Sequence, residues 1–177
     1  MARRSPPKPR PPLDGETLEQ LAIAYLGRYA TTRARLRRYL ARKLRERGWA
    51  GEGEPQVAQL AEKCAELGYV DDRAFAVARA ASLSRRGYGA RRLDQALFEA
   101  GIEDGDASDA REQAAEAGWD AALTFARKRR IGPFADRPMD EAARRKAFAA
   151  MMRAGHAYGH IARLIAAEPG IVPEPPD

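Results

Sequence analysis

The sequence predicts an all-α fold: three tandem three-helix repeats forming an elongated, curved array. Three observations point to it. β-branched residues, which favour strands, are scarce. Hydrophobic residues make up 45% of the 177-residue chain, and much of that is Ala; Ala with Leu, Arg and Glu suits helices packed closely through small side chains. The third observation is a repeat. Gly48, Gly101 and Gly155 are spaced by 53 and 54 residues. Leu44, Leu97 and Met151 stand four before them, Leu40, Leu93 and Ala147 eight before, and the larger Trp49, Ile102 and His156 follow. A helix with an i, i+4 apolar ridge and a glycine cap is therefore used three times. A period near 54 suits a three-helix unit, and units that touch mainly their neighbours build long arrays.

Residues 1–12 hold five prolines and Arg3, Arg4, Lys8 and Arg10 without an acid, a basic tail with no core-forming residues, expected to be disordered. Helices are expected at about 14–29, 32–47 and 55–68 in the first repeat (13–69). In the second repeat (70–117) they fall at about 71–86, 89–100 and 107–117, and in the third (118–167) at about 119–130, 139–154 and 157–167. Asp14, Thr32, Asp71, Ser108 or Asp109, and Asp140 are candidate cap or first-turn residues. Gly68 reads as a helix stop. Phe75, Val77 and Ala78 open an apolar stripe that Ala81 and Leu83 extend. Gly87 and Gly89 form a hinge whose backbone angles a Cβ would penalise. Residues 168–177 are Pro-rich and acidic, expected to be disordered.

The chain carries 31 Lys and Arg against 25 Asp and Glu, a net charge of +6 and a pI of about 9.8. Such a balance favours acidic partners, nucleic acid first. Over residues 28–47, nine bases (Arg28, Arg33, Arg35, Arg37, Arg38, Arg42, Lys43, Arg45 and Arg47) face one acid, Glu46. Leu36, Leu40 and Leu44 form one face of that helix, so the arginines fan over the rest. Further basic clusters are Arg85, Arg86, Arg91 and Arg92; Arg127, Lys128, Arg129 and Arg130; and Arg144, Arg145 and Lys146. The candidate residues for binding nucleic-acid phosphate or an acidic protein surface are Arg33, Arg35, Arg38, Arg42, Arg45, Arg85, Arg86, Arg91, Arg92, Arg127, Lys128, Arg129 and Arg130; the alternative is a solvated face with arginines snorkelling over alanines.

No nucleophile motif, phosphate-cradling loop or carboxylate pair suggests catalysis, and no cofactor or metal is expected. His156 and His160 lack further ligands at suitable spacing and read as packing residues. Asp71 and Asp72 read as helix-capping acids. Trp49, Trp119, Tyr69 and Tyr88 neighbour glycine turns, with packing between units or base stacking as their alternatives. Cys64 reads as a small buried apolar residue, and no apolar run is long enough for a membrane helix. The N-terminus lacks a secretory pattern, so a cytoplasmic setting is expected.

Two runs carry a family resemblance: LGYVDDRAFA over residues 67–76 and RRGYGARRL over residues 85–93. They resemble the RecX family, bacterial regulators of the RecA recombinase. Ala90 stands where that family usually has Pro, at a helix start where Pro is dispensable. Trp119, Phe125, the basic run 127–130 and Gly132 match the family's third repeat, and residues 144–161 match more loosely. At His156 the family usually has Phe. The resemblance implies a monomeric regulator, not an enzyme. It would bind the RecA–DNA filament, with weak affinity for single- and double-stranded DNA, and limit recombinase and coprotease activity in DNA repair and the SOS response. The alternative is a basic all-helical DNA-binding protein acting alone.

Overall fold

The computed structural model describes residues 10–176. The expected basic tail lies outside the described residues as far as residue 9. Among the described residues there are nine α-helices and a single 3-10 turn, with no strand. One isolated bridge joins Leu13 to Trp49. Each of three apolar clusters is gathered by three consecutive helices. The all-helical class and the three-helix repeats are as expected.

The repeated glycines act as the spacing predicts. Gly48, Gly101 and Gly155 take φ of 80°, 73° and 89°, left-handed values that cost a residue with a Cβ. The carbonyl of the ridge residue four positions earlier accepts in each case. Gly48 N–H donates to Leu44 at 2.8 Å, Ile102 N–H to Leu97 at 3.0 Å and His156 N–H to Met151 at 3.2 Å. Leu97 and Met151 are also fully buried, so one residue ends the helix and fills the core.

The chain divides into two compact units after Asp72. The first holds α1 (Gly15–Leu26), α2 (Arg33–Arg47) and α3 (Val57–Glu66). Asp14 caps α1 by accepting from Thr17 N–H at 2.8 Å, and Thr32 caps α2 by accepting from Arg35 N–H at 3.2 Å. Leu13, Leu18, Ala22, Leu36, Leu40, Ala61, Cys64 and Val70 form its core. Burial pushes the Cys64 thiol pKa up, as expected of a packing cysteine. The chain ahead of α1 is fastened: Leu13 N–H donates to Gly48, and Arg47 Nε to the Pro11 carbonyl, at 2.9 and 2.8 Å.

Asp72 does more than its place at the start of a helix suggests. One oxygen accepts from Arg33 N–H at 2.9 Å, the other from Arg33 Nε at 3.1 Å. Its side chain is 3% exposed. It therefore satisfies an orphan donor at the start of α2 and neutralises a half-buried guanidinium, whose protonated form it holds more strongly than water would. Asp72→Ala is expected to lower the stability of the first unit by about 2–3 kcal/mol, because it strands Arg33 and a helix-start amide. Asp72→Asn, which keeps an acceptor, is expected to cost less; urea titration of both variants checks this order.

The second unit carries α4 (Asp72–Arg86) from Arg73 onward, then α5 (Ala90–Ala100), α6 (Asp104–Glu116), α7 (Gly118–Arg129), the 3-10 turn (Gly132–Phe134), α8 (Glu141–Arg153) and α9 (Tyr158–Ala166). Its first core is built from Ala76, Ala80, Leu83, Leu93, Leu97, Ala107, Ala110 and Ala114. The buried stripe of α4 is thus Ala76, Ala80 and Leu83 at i, i+4, i+7; Phe75 and Val77 are half-buried and Ala78 is exposed. α6 begins three residues ahead of the expected start, so Ser108 and Asp109 lie inside it rather than at its cap. Its second core holds Ala122, Ala126, Ile131, Ala147, Met151, Ile161 and Leu164. Asp140 caps α8, accepting from Ala143 N–H at 2.8 Å. Beyond α9, Gly170 N–H donates to the Pro133 carbonyl at 2.9 Å.

These two cores meet at a backbone crossing. Gly89 N–H donates to the Ala154 carbonyl at 2.9 Å, and Arg91 N–H to that of Gly155 at 3.2 Å. Gly87 has φ of 84°, as the hinge reading expects. Gly89 does not: its φ is −83°, open to any residue. Glycine is required there because a Cβ would run into the Gly155 carbonyl and come within 2.7 Å of the His156 nitrogen.

Candidate functional site

The basic helix α2 presents its cations in two groups. Arg33 and Arg37 turn toward acids, reaching Glu62 at 3.2 and 3.4 Å, and Arg33 also holds Asp72. Arg35, Arg38, Arg42 and Arg45 line the other side at helical spacing, beside an open cleft of about 420 Å³ whose walls include Tyr25 and Tyr39. Arg42 reaches Glu46 at 3.6 Å, and Lys43 bonds the same carboxylate. Those two cations hold Glu46 below the usual carboxylate range, the hydrogen bond to Lys43 contributing most. Four arginines at helical spacing give this side of α2 a strongly positive character.

The tyrosines are a feature the sequence reading passed over. Tyr25 and Tyr39 stack at 4.2 Å between centroids with planes 13° apart. Tyr29 joins them at 5.2 Å, tilted by 45°, and is 58% exposed. The Arg42 guanidinium lies 5.7 Å from the Tyr39 ring centre. The i, i+4 spacing of Tyr25 and Tyr29, and the place of Tyr39 among Arg35, Arg38 and Arg42, are the signals that could have found them.

In the second unit, clusters far apart in sequence converge. Lys128 Nζ donates to the Arg86 carbonyl at 3.1 Å, so the C-terminal ends of α4 and α7 lie together with Arg85, Arg86 and Arg127 to Arg130 exposed. Cations at helix C-termini also satisfy carbonyls left open there. Aromatic rings lie under three of them: Tyr88 beneath Arg86 at 5.2 Å, Phe125 beneath Arg129 at 5.6 Å and Phe134 beneath Arg127 at 4.9 Å. Arg130 pairs with Asp136 at 2.9 Å. Arg91 and Arg92 are exposed on the first turn of α5, with Arg92 bonded to Gln95 at 2.7 Å.

The four glycine-turn aromatics differ in place. Trp49 packs on the first core, its indole donating to Gly53 at 2.9 Å, and Tyr88 and Trp119 pack on the other two; Tyr69 is exposed. His156 is 1% exposed and lies against Phe125, centroids 5.3 Å apart and planes 62° apart. Neither ring nitrogen has a hydrogen-bond partner of ordinary geometry among the described residues. His160 sits edge-on to Trp119. No group of three or more His, Cys, Asp or Glu side chains poised for a metal occurs among the described residues, nor does any helix long and apolar enough to cross a membrane.

Burial drives the His156 pKa from 6.5 down to about 4, with the His160 charge adding and the Gly87 backbone opposing. The unfolded chain takes up this proton below about pH 6.5, the folded one only near 4. Between those values the unfolded state holds more protons, so stability falls as pH falls. Acidification from pH 7 to 5 is expected to remove about 2 kcal/mol at this residue. Urea midpoints across that range should slope less in His156→Phe than in the parent.

A model of RecX, second three-helix domain, matches residues 71–110. The chain is 34% identical over 176 residues to "Regulatory protein RecX" of Myxococcus xanthus (strain DK1622), covering 94% of this chain and 92% of that one. Among solved structures it is similar to RecX from Lactobacillus salivarius, with a TM-score of 0.61 and 20% identity over 85% of this chain and 93% of that one. A second, a regulatory protein RecX, gives a TM-score of 0.62 at 20% identity, covering 85% of this chain and 72% of that one. With the second repeat matched, a curated relative aligned end to end and the same helical fold, this chain belongs to the RecX family of regulatory proteins.

Proposed function

We propose that this protein binds the filament formed by the RecA recombinase on DNA and restrains its strand-exchange and coprotease activities in DNA repair and the SOS response. Family membership supports the regulatory role; the observation that carries the contact is the positive stripe of Arg35, Arg38, Arg42 and Arg45, set at helical spacing on α2 along an open cleft. Its spacing suits a run of phosphates or acidic loops. The converged cluster of Arg85, Arg86, Arg127, Lys128, Arg129 and Arg130, with Arg91 and Arg92, forms a second contact region. Arg33, ion-paired with Asp72, positions the helix rather than meeting the partner. The protein acts as a cytoplasmic monomer through binding alone, without catalysis, metal or cofactor, and binds free single- and double-stranded DNA weakly. Repeats over 13–69, 70–117 and 118–167 are its functional modules.

Co-sedimentation with recombinase filaments tests this, with bare single-stranded DNA as control. Enrichment on filaments above bare DNA is expected. Equal recovery on both would favour a basic all-helical DNA-binding protein acting alone.

A further inference from the structure

The cleft between α1 and α2 combines features that a purely electrostatic contact does not need. Arg35, Arg38, Arg42 and Arg45 run along one edge, while Tyr25, Tyr39 and the mostly exposed Tyr29 form a ladder of rings. Phosphates or acidic side chains would be met by the cations alone. One exposed ring, Tyr29, next to the half-buried Tyr25–Tyr39 stack that walls the cleft and beside a line of cations, matches a ligand that offers phosphates and an unpaired base together, because any base can stack on an aromatic face. Duplex DNA offers the phosphates but keeps its base faces covered by neighbouring pairs. The stripe from Arg35 to Arg45 is about 15 Å long at the helical rise, about four nucleotides at the stacked spacing of roughly 3.4 Å.

The geometry points to this cleft as a single-strand-selective nucleic-acid site, in which the arginines hold backbone phosphates and Tyr29, backed by the stacked Tyr25 and Tyr39, takes a base. This rests on the reading of α2 as a contact helix and gives that contact a ligand class. With Trp49, Tyr88 and Trp119 packed on the cores, the stacking role moves from the glycine-turn aromatics to residues 25, 29 and 39.

The test uses the full chain and three labelled probes read by fluorescence anisotropy at moderate salt: short oligo-dT, an abasic oligomer of equal length and charge, and a duplex of equal length. Oligo-dT is expected to bind about 5-fold or more tighter than the abasic oligomer, the effect of one stacked base. Tyr29→Ala should remove that margin while leaving abasic binding and the circular dichroism melt unchanged, since the side chain is mostly exposed. Tyr29→Trp should keep it. Equal binding of oligo-dT and abasic oligomer by the parent would overturn the site, as would a margin that survives in Tyr29→Ala or duplex bound as tightly as oligo-dT. Failure of the filament reading looks different: the parent would show the oligo-dT margin yet no enrichment on filaments.

Discussion

Gly89→Val should lower the stability of the second unit by about 3 kcal/mol or more. The reason is spatial. Gly89 has an ordinary φ of −83°, so a Cβ there brings no backbone strain of its own. It meets the Gly155 carbonyl and, at 2.7 Å, the His156 nitrogen, and backbone cannot step aside as a flexible side chain can. The crossing would open, and with it the Gly89-to-Ala154 and Arg91-to-Gly155 hydrogen bonds. Gly105 is the control. It lies in α6 with no atom within 4 Å of a built Cβ, so Gly105→Ala should stabilise by about 0.5–1 kcal/mol, as Ala does over Gly in a helix. Denaturation midpoints for the two variants should therefore move in opposite directions. An unchanged midpoint in Gly89→Val would mean that the crossing is not tightly held.

Helix periodicity and glycine spacing made the repeats legible, because a left-handed cap and an i, i+4 ridge leave marks at fixed distances. The capping roles of Asp14, Thr32 and Asp140 were legible for the same reason: each bond spans three residues. What was not legible involves partners far away in sequence. Asp72 reads locally as a first-turn acid, and nothing near it announces Arg33, 39 residues earlier. Gly89 reads as a hinge, and its need for hydrogen at Cα comes from Gly155. The α4 stripe reads from sequence as Phe75, Val77, Ala78, Ala81 and Leu83, of which Leu83 is buried; the small Ala76 and Ala80 give a weak apolar signal, yet the helix buries them so that neighbours approach closely.

The candidate site divides in the same way. A run of nine bases with one acid is visible in any reading of residues 28–47, but which of them turn inward is not. Glu62 and Asp72 take Arg33, and Glu62 takes Arg37; Arg35, Arg38, Arg42 and Arg45 line the cleft with the tyrosines. The convergence of Arg86 with Lys128 likewise needs the fold.

Arg35→Glu, Arg38→Glu and Arg42→Glu together should abolish most filament binding while leaving the fold intact. Glu is nearly as good a helix former as Arg. The buried ridge of Leu36 and Leu40 and the Arg33–Asp72 pair are untouched. Three reversals replace attraction by repulsion at three consecutive positions of the stripe. Each phosphate contact adds about 0.7–0.9 to the slope of log affinity against log salt, so losing three should flatten that slope by about 2–3. If the arginines are a solvated face, solubility would change and little else.

The decisive measurement is co-sedimentation of parent and triple variant with recombinase filaments at low and moderate salt, after circular dichroism has shown equal helical content. The parent should bind tightly at low salt and lose affinity steeply as salt rises; the variant should bind at least 10-fold more weakly, with a shallow salt dependence. A folded triple variant that matches the parent at both salts would contradict the account, and the contact would then have to lie elsewhere, at Arg85, Arg86, Arg91 and Arg92 or at Arg127 to Arg130.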